Sequence, residues 1–156
     1  MVVKVQMTAA GTANWEKPVQ IGLQQWAVNY ETWMVTRYSF ENGRVVHVKT
    51  RYAGVDDIDL GATAPVSGGF GHIEGNDEDG DQLFGRVDWV VREGYQGGVY
   101  TFLGGTGKWK DASGTVEAAV WTDEEEHEQV MPPAGPMRNY GFVDGEGELS
   151  VPNLGA

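Results

Sequence analysis

The stretch Gly104-Gly-Thr-Gly-Lys-Trp-Lys-Asp-Ala-Ser-Gly114 decides the fold of this chain. Its four glycines permit backbone conformations that a Cβ atom would forbid. The segments on either side, Val99–Leu103 and Thr115–Trp121, have the composition of strands. We therefore expect a tight corner between two antiparallel strands, with Trp109 inside it available as an apolar plug.

The residues outside this corner predict more strands, because side chains in a strand alternate with period two. The clearest are Tyr30–Phe40, Val45–Tyr52 and Leu83–Arg92, and Asn42-Gly43 suits a hairpin turn between the first two. Shorter strands are predicted over Val2–Thr8, Phe70–Glu74, Asn139–Asp144 and Glu146–Val151. The segments predicted to be irregular, turns or loops are Ala9–Pro18, Ala53–Gly69, Asn76–Asp81, Gly94–Gly98 and Thr122–Met137.

Composition agrees with a single all-β domain over residues 1–156. The chain has 23 glycines, yet 40% of it is hydrophobic, which favours many short strands joined by glycine-rich turns over a disordered chain. About eight strands are predicted, the number that closes a small barrel and leaves no exposed edge. We expect an eight-stranded antiparallel closed barrel of the calycin type.

Charge and cysteine content exclude several functional classes. The formal net charge of -12 opposes binding to nucleic acid and to anionic membranes, since both require a basic surface. The absence of cysteine excludes disulfides, thiolate catalysis and zinc-thiolate sites. No apolar run matches a signal peptide or a membrane span. We expect a cytoplasmic protein that does not act on nucleic acid or membranes.

The turn motifs carry a resemblance to a known group of barrels. Asp79-Gly80-Asp81, then Gly-Gly-Thr-Gly-Lys-Trp at 104–109 and Ala-Ser-Gly at 112–114, resemble the series found in allene oxide cyclase-like and dirigent-like proteins. The resemblance covers Gly69–Trp121. It implies an eight-stranded barrel with a ligand cavity, a dimer or trimer, and no cofactor. The chain lacks the cysteine of the plant allene oxide cyclases, and no catalytic residue is transferred from either family.

Candidate catalytic residues depend on which strand faces point into the barrel. His47 and Arg51 share one face, where a histidine can transfer a proton and an arginine can hold an anion; with Lys49 beside them, a solvated outer face is the alternative. Arg86 and Asp88 share another face, with Arg92, and would form either an orienting pair inside a cavity or an exposed ion pair.

Tyrosine supplies the last candidate proton donor, Tyr38, which gives the predicted catalytic set His47, Tyr38, Arg51, Arg86 and Asp88. The predicted ligand-binding residues are Tyr30, Met34, Phe40, Tyr52, His72 and Trp89. Ordinary core or a subunit interface is the alternative for the aromatic face.

No metal site is predicted. His72 and Glu74 are only two ligands, His127 lies in the acidic run Asp123–Glu128 without metal-binding spacing, and Asn76–Asp81 departs from the calcium-loop pattern.

Three functions remain open. The first is a cofactor-independent cyclase, isomerase or lyase that acts on a small hydrophobic, oxygenated or aromatic molecule by confinement and one proton transfer. The second is a non-catalytic barrel that binds such a ligand, and the third is an assembly protein that uses Trp15, Trp26 and Trp33 as a surface. A buried ionisable residue in the interior favours the first over the second, and a filled barrel favours the third.

Overall fold

A computed structural model describes residues 1–61, 66–122 and 137–155 of the chain. The strands are β1 Val2–Trp15, β2 Val19–Gly22, β3 Gln25–Phe40, β4 Val45–Asp59, β5 Val66–Asp77, β6 Gln82–Arg92, β7 Tyr95–Gly105, β8 Ser113–Thr122 and β9 Met137–Ser150. One 3₁₀ turn, Gly107–Trp109, lies between β7 and β8. In these three ranges no helix has the length and apolar character needed to cross a membrane.

Eight of the strands close into an antiparallel barrel. The order runs β1-β9-β8-β7-β6-β5-β4-β3, and β1 also pairs with β3, which joins the two ends of the sheet. Val5, for example, pairs with Phe40 on one side and with Gly147 on the other. The short β2 pairs with β3 as an extra strand. The predicted all-β class and the closed eight-stranded barrel are confirmed.

Several strands are longer than the alternation of apolar residues predicted. β1 continues to Trp15, β4 continues to Asp59 and β7 begins at Tyr95, so the predicted irregular segment, loop and turn at these places are wrong within the described residues. Each extension passes through inward glycine or polar residues, which interrupt the apolar pattern but not the backbone hydrogen bonds of the sheet. The parts of the predicted loops at residues 62–65 and 123–136, which include His127, lie outside the described residues.

One half of the interior is filled by apolar side chains around the plug. Trp109 is completely buried, as the sequence predicted. Its ring packs edge-to-face against Tyr38, at 5.5 Å between centroids, and lies 6.3 Å from Phe40. Phe102 also packs edge-to-face against Tyr38, at 5.8 Å between centroids. This end of the barrel is therefore closed.

A carboxylate holds the plug in place. The Asp77 Oδ2 atom accepts hydrogen bonds from Trp109 Nε1 at 2.9 Å and from Lys108 Nζ at 2.6 Å. Burial would raise the pKa of Asp77, but these two donors and the backbone N–H groups of Asp79 and Asp81 outweigh it and lower the pKa. The turn predicted over Asn76–Asp81, at the end of β5, thus anchors the glycine corner.

Candidate functional site

The other half of the barrel contains a cavity in which the volume open to the centre of a water molecule is about 60 Å³. It lies towards the end where β1 stops at Trp15 and β8 stops at Thr122, opposite the Trp109 plug. Its walls are mostly aromatic and apolar. The lining residues are Ala13, Trp15, Tyr30, Thr32, Met34, Tyr52, Asp56, Trp89, Gln96, Tyr100, Val120, Tyr140, Gly141 and Val143.

One buried carboxyl group, that of Asp56, lines the cavity. Among the described lining residues, no other is an Asp, Glu, Lys, Arg or His. This carboxyl group reaches the interior because β4 keeps its alternation beyond Tyr52, so that Asp56 and Ile58 point inward while Asp57 is exposed. The indole Nε1 of Trp15, at the end of β1, donates a hydrogen bond of 2.9 Å to Asp56 Oδ2. This bond fixes one oxygen of the carboxyl group.

The surroundings of Asp56 make it a group that can exchange a proton at neutral pH. Burial raises the pKa of Asp56 to about 7, although the hydrogen bond from Trp15 and the nearby Trp89 indole act to lower it. The Trp89 indole N–H lies close enough to the Asp56 carboxyl group for a weak hydrogen bond that lowers its pKa, although the geometry of this bond is outside the standard range. A group whose pKa lies near the working pH is suited to general acid–base chemistry.

Three buried tyrosines, Tyr30, Tyr52 and Tyr100, contribute hydroxyl groups to the wall. Tyr30 Oη donates to the backbone oxygen of Phe70 at 3.0 Å. Burial raises the pKa of all three hydroxyls: that of Tyr52 to about 12, and those of Tyr30 and Tyr100 well above their usual range. They therefore stay protonated at neutral pH. Tyr100 Oη is buried and has no hydrogen-bond partner of standard geometry in the part of the chain that the structure describes.

Two inward glycines make room for the aromatic wall. A Cβ atom at Gly71 would lie 2.3 Å from the hydroxyl oxygen of Tyr30. A Cβ atom at Gly98 would lie 2.5 Å from Val87 Cγ2 and 3.0 Å from the Trp89 ring. The distances of 2.3 Å and 2.5 Å are far inside van der Waals contact, so the cavity walls depend on glycine at these two positions.

The candidate aromatic residues divide between the two halves of the barrel. Tyr30, Met34, Tyr52 and Trp89 line the cavity. Tyr38 and Phe40 also point inward, but they pack around Trp109 in the filled half. Burial raises the pKa of Tyr38 well above its usual range, which makes it a poor proton-transfer group.

Two of the predicted catalytic residues lie on the outer face of β4. The His47 ring faces Glu78, at 3.6 Å between Nδ1 and Oε2, and its side chain is 54% exposed. Arg51 donates to Glu31 at 2.7 Å and to Glu74 at 3.2 Å. Their proposed catalytic role required an inward orientation, and the structure shows the alternative, a solvated outer face.

The remaining predicted polar residues are also outside the barrel. Arg86 and Asp88 form an exposed pair, with Arg86 Nη2 2.9 Å from Asp88 Oδ1, and the Arg86 guanidinium lies 4.5 Å from the centre of the Phe70 ring. His72 is exposed on β5 and packs against Phe70. None of these three residues can reach the cavity, because the parity of their strands directs the side chains away from it.

Sequence reasoning missed the residues that give the cavity its chemistry. Asp56 was assigned to a loop and Trp15 to an irregular segment or an assembly surface, whereas Trp15 is 3% exposed. Extending the period-two count from Val46 through Tyr52 would have placed Asp56 inside. The Gly54 interruption and the acidic pair at 56–57 hid that signal.

No group of three or more His, Cys, Asp or Glu side chains in the three described ranges is arranged to hold a metal ion. The prediction that the protein needs no cofactor is not tested by this finding.

Comparison with models of known protein families found no match to this chain, and comparison with curated proteins found none either.

Proposed function

We propose that this protein is a cofactor-independent enzyme that binds a small hydrophobic, oxygenated or aromatic molecule in the barrel and promotes its cyclisation, isomerisation or elimination. The single observation that carries the proposal is the buried carboxyl group of Asp56 in an aromatic cavity. An ionisable interior residue is the feature that separates a catalytic barrel from a simple ligand carrier. A carrier can hold a hydrophobic ligand by apolar contact alone, whereas a buried acid opposes folding when it ionises.

The proposed chemistry is one proton transfer. Ionised Asp56 takes a proton from a carbon or oxygen atom of the bound molecule, and the resulting acid returns it to another atom of that molecule or to a leaving group. Atoms and charge balance without a cofactor. Trp15 holds the carboxyl group at 2.9 Å, so its orientation is preorganised for the transfer. The aromatic walls exclude water and restrict the conformations of the substrate.

The alternative function is a non-catalytic barrel that carries a hydrophobic ligand. The aromatic lining supports this alternative equally well, because it would bind such a molecule with or without turnover. Kinship with allene oxide cyclase-like or dirigent-like barrels, a location in the cytoplasm and assembly into a dimer or trimer stay predictions from the sequence. Of the three tryptophans proposed as an assembly surface, Trp33 is 50% exposed and Trp15 is buried.

An untargeted turnover assay tests the proposal. Purified protein is incubated with a metabolite extract of its host, and substrates and products are followed by liquid chromatography and mass spectrometry. A cyclase or isomerase converts a compound into another of the same mass, and a lyase splits the mass in two. We expect conversion by the wild type and by Arg86→Gln, a control on the outer face, and at least a hundredfold slower conversion by Asp56→Asn.

Either of two outcomes contradicts the proposal. Equal conversion by Asp56→Asn shows that the carboxyl group takes no part in the reaction. A compound that co-purifies with the wild type and leaves the assay unchanged in structure identifies a carrier.

A further inference from the structure

An exposed apolar patch covers the outer face of four neighbouring strands, β3, β1, β9 and β8. Ala10 of β1 pairs with Val35 of β3 on one side and with Phe142 of β9 on the other. Phe142 pairs in turn with Trp121 of β8, and the rings of these two residues stack at 4.8 Å between centroids. The apolar patch consists of Ala10, Trp33, Val35, Trp121, Tyr140 and Phe142, which are all exposed, and Tyr140 also lines the cavity.

The size of this patch is that of a protein–protein interface. Its four aromatic side chains are between 46% and 61% exposed, and Val35 is 57% exposed. Because a large aromatic side chain has about 150–250 Å² of surface, the patch as a whole leaves roughly 500 Å² of apolar surface in contact with water. A standard interface buries about 800 Å² on each partner, slightly more than half of it apolar. The patch therefore supplies the apolar part of one such interface.

Charges of opposite sign flank the patch. Arg37 and Lys49 are exposed on its β3–β4 side, whereas Asp144 and Glu146 are exposed on its β9 side. In the ranges that the structure describes, none of these four side chains forms an ion pair with another residue of the chain. The same face therefore carries a cationic margin and an acidic margin with the apolar surface between them.

A second copy of the chain fits this distribution, because a two-fold axis brings the same surface of both copies together. If the axis runs along β1, the β3 side of one copy meets the β9 side of the other, and Arg37 lies opposite the acidic margin that contains Asp144 of the partner subunit. If the axis runs across the strands, each margin meets its own copy and like charges face each other. Only the axis along β1 gives electrostatic complementarity.

The shape of the face agrees with this axis. Thr8 and Ala10 are small outward side chains of β1 that lie between the larger Val35 and Phe142 of the flanking strands. These four residues line a shallow groove along β1. An axis placed between β1 and β9 lays the Phe142 ring of each copy in the β1 groove of the other.

We propose that the protein associates through the apolar patch into a two-fold symmetric dimer whose axis runs along β1. The interface consists of the outer faces of β3, β1, β9 and β8 of both copies. Rotation about this axis keeps the direction of β1, so the cavity ends of the two barrels point the same way. Association does not involve Asp56, and the inference is therefore independent of the proposed function.

Sedimentation velocity of the full chain, over concentrations from about 0.1 to 100 µM, measures the dissociation constant of the dimer. We expect the wild type to dimerise in this range and Phe142→Ser to weaken the dimer at least thirtyfold, because it removes a ring at the centre of the interface. Leu103→Ser is the matched control, since Leu103 is 65% exposed on β7 outside the patch, and it should leave the dissociation constant unchanged. Thermal unfolding of each variant shows that it is folded.

A pair of charge reversals tests the direction of the axis. Arg37→Glu alone brings two acidic margins together, and Asp144→Lys alone brings a cation against Arg37, so each variant should dimerise at least tenfold more weakly than the wild type. A 1:1 mixture of the two variants has opposite charges at both symmetry-related contacts. It should form a heterodimer with an affinity close to that of the wild type.

Three outcomes would overturn the proposed interface: a monomer up to about 100 µM, a trimer, or a dimer that Phe142→Ser leaves as tight as the wild type. If Phe142→Ser abolishes the dimer but the mixed charge-reversal variants do not associate, the axis along β1 is wrong and the proposed arrangement fails. The turnover assay judges the proposed enzyme separately in each case.

Discussion

Replacing Asp56 with asparagine is expected to change how the stability of the protein depends on pH. Burial moves the pKa of this carboxyl group from 3.8 to about 7 on folding. The folded state binds this proton more tightly than the unfolded state does. The contribution of Asp56 to the stability of the folded protein is therefore most favourable below pH 4 and is lost as the pH rises towards 7. The difference between the two pKa values corresponds to about 4 kcal/mol.

Asparagine removes this penalty and keeps the shape of the side chain. Its Oδ1 atom can still accept the hydrogen bond from Trp15. The free energy of unfolding of Asp56→Asn minus that of the wild type should therefore be near zero at pH 4 and rise to about 4 kcal/mol at pH 8. The groups that act on Asp56 from neighbouring positions, Tyr30, Trp89 and Asp57, are unchanged in this comparison.

Urea denaturation followed by tryptophan fluorescence at pH 4, 5, 6, 7 and 8 measures the difference curve. Asp57→Asn is the matched control for the loss of one charge, since Asp57 is exposed on the outer face of the same strand. A difference that stays constant from pH 4 to pH 8 would refute the reasoning. It would mean that Asp56 ionises as readily in the folded barrel as in the unfolded chain.

Two further predictions concern the filled end and the cavity wall. In urea denaturation, Asp77→Asn should lower the free energy of unfolding by about 3 kcal/mol, because the new amide N–H group faces the Lys108 ammonium. Asp79→Asn, at an exposed position of the same turn, is the control and should have a much smaller effect. Equal losses in the two variants would contradict the anchoring role of Asp77. Gly98→Ala should lower the free energy of unfolding by about 1–3 kcal/mol, because its methyl group overlaps Val87. The double variant with Val87→Ala should recover at least about 1 kcal/mol of this loss. Additive losses in the double variant would exclude the steric explanation.

The corner at 104–114 and its plug could be predicted from the sequence. Four glycines and a tryptophan between two apolar segments leave few other arrangements, and Trp109 is indeed fully buried. The partner of the plug could not be predicted. Asp77 and Lys108 are 31 residues apart in the chain, and their contact follows from the pairing of β5, β6 and β7.

The candidate site could be predicted only in part. The alternation in Tyr30–Phe40 grouped Tyr30 and Met34 on one face without deciding whether that face is inward, and in the structure both residues line the cavity. The alternation in Val45–Tyr52 and Leu83–Arg92 identified two faces for each strand but not which of them is inward. The charged side chains on these strands were catalytic candidates only if their face pointed inward. In the closed barrel that face points outward, so these side chains lie on the outer surface.

The all-β class, the barrel and the plugged end could be predicted from the sequence, because period-two alternation and turn glycines are local properties of the backbone. The chemistry of the interior depends instead on contacts between distant parts of the chain. Trp15 and Asp56 are 41 residues apart and lie on strands that are not neighbours, so nothing local links them. The closure of the barrel brings both side chains into its interior, and burial there raises the pKa of Asp56 from 3.8 to about 7, near neutral pH.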